Sequence, residues 1–92
     1  MSLEKERKEI DAIDAKIRAL FLERLAVAER IAKFKKEHNL PILNPGREKE
    51  VLGKLTDGLE EPHSKYIKKL FERVMEISRE WQELMNSPTA RM

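Results

Sequence analysis

Arg24, Lys35, Glu48, Ser78 and Gln82 are polar residues standing where the surrounding helical pattern calls for apolar ones. Lys35 follows Arg24 by eleven positions. At about 100° per residue that returns it to within about 20° of the same direction, about 16 Å further along the axis. Two cations so placed on one helix face can reach with long side chains toward a small anion between them. Ser78 and Gln82, four residues apart, share one face of a later helix. Glu48 aligns with Leu52 and Leu55 on the apolar side of a shorter one.

Each residue alone has a plainer explanation. A seam arginine more often forms a buried salt bridge or snorkels to water. A lysine near a helix end complements the dipole, and so does a glutamate in a first turn. A seam serine back-bonds to a carbonyl, and a seam glutamine fixes register. The balance changes because all of them, on three different helices, face inward. One shared polar pocket is simpler than the same accident at every position.

The elements that must position them follow from periodicity. A first helix is expected from about Glu4 to His38, with no Pro or Gly. Ile10, Ile13, Ile17, Leu20, Val27, Ile31 and Phe34 mark a seam in alternating steps of three and four, and Arg24 completes the rhythm. At 1.5 Å per residue such a helix is about 50 Å long, too long to bury its stripe within one small globule, so it calls for a helix from a second chain. Asn39 reads as a helix stop and 40–43 as an extended connector. Asn44 as N-cap and Pro45 at the first position restart a helix to about Thr56, burying Val51, Leu52 and Leu55. Asp57-Gly58 ends it, and a third helix runs from about 62–64 to Asn86 on a seam of Ile67, Phe71, Val74, Ser78, Trp81 and Met85. The fold class expected is all-α, three helices ordered long, short, long. Residues 1–92 are read as a single domain, with 87–92 a frayed tail.

Composition narrows the function. There is no cysteine, and His38 and His63 stand far apart without acidic clusters, so thiol chemistry is excluded and a metal site is not expected. The 19 basic and 17 acidic residues interleave to a net charge of +2, which gives no basic stripe for nucleic acid. No apolar run approaches a membrane span and no signal pattern opens the chain, so a cytoplasmic location is the default expectation. A lone domain of this size buries only about 60–65% of its unfolded surface, a second reason to expect an oligomer.

The motifs, in order, resemble the all-helical family of chorismate mutases over nearly the whole chain. Arg7 through Asp14, with Leu22-Glu23-Arg24 and the spacing on to Lys35, is similar to the family's "R-x-x-I-D-x-I-D … L-x-x-R" opening, with Phe21 standing at that motif's leucine position. Pro41-Ile42 followed by Arg47-Glu48 resembles its connector, and Ser78 with Gln82 its third-helix "S-x-x-x-Q". The resemblance implies an intertwined homodimer that rearranges chorismate to prephenate without cofactor or metal. It implies that Lys35 and Gln82 donate to the substrate's ether oxygen, with Lys35 also touching the side-chain carboxylate. Arg24 with Ser78 would hold the ring carboxylate, Glu48 would accept the ring hydroxyl, the main-chain N–H of Asn44 would assist, and Arg47 would shape the site.

Arg7 matches the family's remaining carboxylate-binding arginine. It lies 28 residues before Lys35, about 42 Å along one helix, so it is either a plain surface residue or a contribution from a second subunit. The family implies the second. Asn44 stands where the family has aspartate, and Gly46 is expected to loosen the start of the second helix. Two other readings compete: an isochorismate–pyruvate lyase on the same scaffold, which tends to lose the hydroxyl-binding glutamate, and a non-catalytic helical dimerisation module, which periodicity alone allows.

Overall fold

Three helices account for most of residues 2–88, the part of the chain that the computed structural model describes, and no strand occurs among them. Helix α1 spans Leu3–Glu37, α2 Pro45–Thr56 and α3 His63–Asn86. The long–short–long all-α order is the one expected. Of the expected tail, Ser87 and Pro88 follow the last helical turn, and 89–92 lie outside the described residues.

The boundaries have local causes. The Ser2 hydroxyl accepts from the Lys5 N–H at the start of α1. Its end is closed by Asn39 at φ 55°, a left-handed conformation that asparagine tolerates better than most residues. With Asn39 so turned, the Leu40 N–H reaches back to the Lys35 carbonyl at 2.8 Å, which would otherwise be orphaned, and the Asn39 N–H to that of Lys36 at 3.4 Å. At α2 the Asn44 side chain accepts from the Arg47 N–H at 3.1 Å and Pro45 takes the first helical position. Helix α2 runs unbroken through Gly46.

The intrachain packing differs from the seam reading. Ala28 (3% exposed) and Ala32 (0%) are the buried residues of α1, facing an α3 that buries Met75, Ser78 and Gln82. Methyl side chains let two helix backbones approach closely, so the bulky seam residues are not the ones that meet α3. Ile10, Ile13, Ile17 and Leu20 are each at least half exposed, with Ile17 at 58%, and Val27, Ile31 and Phe34 are exposed too. Helix α2 packs on α3 and not on α1. It is covered on one side, so Val51 and Leu52 are half-buried and Leu55, expected inside, is exposed.

The result is a slab 54 × 33 × 14 Å with a radius of gyration of 16.5 Å, against about 12 Å for a compact chain of this length. It exposes 7667 Å², where a compact folded chain of its mass exposes about 5,500 Å². The alanine contact makes a direct prediction: Ala32→Leu forces extra carbons between α1 and α3 and is expected to cost about 1–3 kcal/mol. Thermal unfolding followed by circular dichroism checks this, and an unchanged melt would show that the two helices do not depend on close approach there.

Candidate functional site

The stripe Arg24–Ala28–Ala32 runs along α1 at four-residue intervals, with Lys35 one short step beyond. The alanines that bring α3 close therefore also carry Arg24 and Lys35 to the rim of the same contact. On α3 the facing turn presents Ser78, Arg79 and Gln82, and α2 adds Arg47 and Glu48 from its first turns. These residues, with Asn44 and the apolar Val27, Ala28, Ile31, Ile42, Val51 and Met75, line one cavity of about 350 Å³, within the range of small-molecule sites.

Of the residues singled out from sequence, Arg24, Lys35, Asn44, Arg47, Glu48, Ser78 and Gln82 are brought together in this cavity. Arg7 is not. It is exposed on the N-terminal part of the unbroken α1, far from Lys35 on the same rod.

Several of these side chains are already held. The half-buried Lys35 ammonium donates to the Ile42 carbonyl at 2.7 Å, fixing it against the connector. Gln82 Nε2 donates to Ser78 Oγ at 3.2 Å, and both residues are 7% exposed. Gln82 Oε1 is buried with no hydrogen-bond partner. Buried polar atoms are nearly always paired, and a half-turn of this amide would let the Ser78 hydroxyl donate to Oε1 and turn Nε2 toward the cavity. The Arg24 guanidinium is half-buried and makes no hydrogen bond to another described residue. Arg24 makes no salt bridge to a described residue and is exposed enough for its stem to snorkel to water, while Ser78 accepts from Gln82 and makes no back-bond to a carbonyl.

Arg47 turns outward along its own helix to Glu50 at 2.9 Å. The Lys54 ammonium beside it, together with the Arg47 guanidinium, holds the exposed Glu50 carboxyl below the usual carboxylate range. Glu48 points the other way, to Arg79 of α3, whose Nη1 donates to both carboxylate oxygens at 2.6 and 2.5 Å.

Arg79 escaped the sequence reading. It lies 31 positions from Glu48 and beside the seam of α3, where an arginine ordinarily faces water. The one available signal was that it precedes Gln82 by three residues, about 60° away around the helix. With Arg79 the cavity carries the cations Arg24, Lys35, Arg47 and Arg79 against the single carboxylate of Glu48. Such a lining favours a multiply charged anion and offers hydrogen-bond donors on several sides. Among the described residues no cluster of His, Asp or Glu has the arrangement of a metal site.

The model of the family described as "Chorismate mutase type II" matches residues 6–83. A bifunctional chorismate mutase/prephenate dehydratase of Aquifex aeolicus (strain VF5) is 49% identical over 49 residues, which cover 53% of this chain and 14% of that relative. No solved structure matches.

Proposed function

The chain belongs to the chorismate mutase type II family, and from that membership we propose that it rearranges chorismate to prephenate. The observation that carries the reading is the convergence of Arg24, Lys35, Asn44, Arg47, Glu48, Ser78 and Gln82 on one cavity of cationic excess. Chorismate is a dianion with two carboxylates, a ring hydroxyl and an ether bridge. In the rearrangement the ether C–O bond breaks as a C–C bond forms, electrons move in a ring, and no proton or group is transferred. A protein can therefore accelerate it by holding the compact conformer and by donating hydrogen bonds to the oxygen on which negative charge grows.

Each side chain then has a task. Arg24, with Ser78, holds the ring carboxylate through paired N–H bonds. Lys35 donates to the ether oxygen and to the side-chain carboxylate. A half-turn of the Gln82 amide lets the Ser78 hydroxyl donate to Oε1, which relieves the orphan, and frees Nε2 to donate to the same ether oxygen. Glu48 accepts the ring hydroxyl, the Asn44 N–H assists, and Arg47 shapes the rim.

The proposal includes a homodimer, in which Arg7 of one subunit completes the site of the other. Three features support it. The α1 seam is exposed along its length. The slab exposes about 2,000 Å² beyond a compact chain of its mass, of the order that each partner contributes to an obligate interface. Arg7, the remaining arginine that the family resemblance assigns to a carboxylate, lies on that exposed stretch of α1 and outside its own chain's cavity. No helix of the described residues is long and apolar enough to cross a membrane.

The direct test presents the purified chain with chorismate and, separately, with isochorismate, while sedimentation reports the assembly. Consumption of chorismate with appearance of prephenate is expected, from a species of twice the chain mass. Pyruvate released from isochorismate, with chorismate untouched, would replace this reading by the lyase one.

A further inference from the structure

The Glu48–Arg79 pair differs from the other ion pairs described. Arg47–Glu50, Lys54–Glu50 and Arg73–Glu76 each join neighbours on one helix, and their side chains are more than half exposed. Glu48–Arg79 instead joins α2 to α3 across the mouth of the cavity, with side chains 26% and 29% exposed. Both residues line that cavity, and Arg79 stands on the turn of α3 that carries Ser78 and Gln82.

A glutamate in this cavity has two difficulties if it is to receive a substrate hydroxyl. Its side chain has three torsions to fix, and its charge opposes the approach of a dianion. Arg79 answers both. The Nη1 contact with both carboxylate oxygens holds the carboxyl group toward α3 and balances its charge. An ionised carboxylate has about four acceptor positions, so Arg79 leaves others open to a hydroxyl.

We infer that Arg79 is the positioning residue for Glu48: it holds the carboxylate oriented and charge-balanced, so that Glu48 discriminates for the ring hydroxyl without repelling the substrate's carboxylates. This role rests on the mutase reading and extends it, because Arg79 acts through Glu48 and not through the bonds that rearrange.

The test is a double-mutant cycle of Arg79→Gln, Glu48→Gln and the double variant, with kcat and KM for chorismate measured separately. Arg79→Gln is expected to lower kcat on the order of 10-fold, the scale of a hydrogen bond to a charged group, and to raise KM several-fold. In the Glu48→Gln background the same change leaves kcat within about twofold, because the group that Arg79 positions is gone. Arg79→Lys, which keeps the charge and one donor, restores most of KM and only part of kcat.

Losses that multiply in the double variant, or an Arg79→Gln enzyme with wild-type constants, overturn the inference while the mutase reading stands. Thermal melts of all four proteins separate a mere helix tie from positioning. Loss that tracks the melt and is equal in both backgrounds counts against the role. A wild-type chain that leaves chorismate unchanged overturns the function and this role with it.

Discussion

Lys35→Ala is expected to lower kcat for chorismate by 10²-fold or more while the chain stays folded. Removal of one preorganised donor to a developing oxyanion costs about 10²–10³ in rate in other enzymes. The ammonium is well placed to be such a donor, because its bond to the Ile42 carbonyl at 2.7 Å fixes it before substrate arrives. Charge on the ether oxygen exists mainly in the transition state, so most of the loss falls on kcat. A smaller rise in KM reports the contact with the side-chain carboxylate. Lys35 is a cleaner probe than Gln82, whose removal from a 7% exposed position would also cost packing. Its own place is near the end of α1, where alanine is a good helix former, so the loss of stability should be limited to about 1–3 kcal/mol for the bond to Ile42. Steady-state kinetics beside a circular dichroism melt read both quantities. A kcat within about threefold of wild type would remove Lys35 from the chemistry and with it the main electrostatic argument for the mutase reading.

Arg7→Ala carries the second large effect, and it reads out the assembly as well as the site. Alone it is expected to lower kcat/KM on the order of 10²-fold, the loss of a bidentate bond to a carboxylate. Arg7 and Lys35 are about 42 Å apart on one uninterrupted helix, so a site that uses both draws them from different subunits. The Arg7→Ala and Lys35→Ala chains, each nearly inactive, should then complement one another. Refolded together in equal amounts, half of the dimers pair the two variants, and one of the two sites in each such dimer has both residues intact. The mixture should recover about a quarter of the wild-type rate, as random pairing in a two-fold dimer requires. A mixture no more active than its components would show that Arg7 does not act in the partner's site.

Much of this molecule is legible in its residues because the information is local. Asn39, Asn44 and Pro45 act within one turn of themselves, and the helix ends fall within about a residue of where those types put them. The cavity residues Arg24, Lys35, Ser78 and Gln82 stand out because they interrupt an apolar rhythm, a signal independent of tertiary structure.

What escaped was relational. Ala28 and Ala32 look like filler between larger seam residues, yet their small size determines where α3 sits. Leu55 has the right phase to be buried, but α2 has a neighbour on one side only. Arg79 has nothing unusual in its surroundings along the chain, and its meaning depends on a carboxylate 31 residues away. Phase identifies which faces are apolar, and it does not say which of two apolar faces meets its own chain.

A slab 14 Å thick has scarcely more depth than a single helix with its side chains. For the dimer proposed here, acquiring a stable interior and acquiring a partner are then one event, governed by mass action. Dilution of such a dimer would loosen the helices and empty the sites together, because the surface that would cover α1 would also deliver Arg7. In that dimer the amount of protein would set its stability and the specific activity of each chain alike.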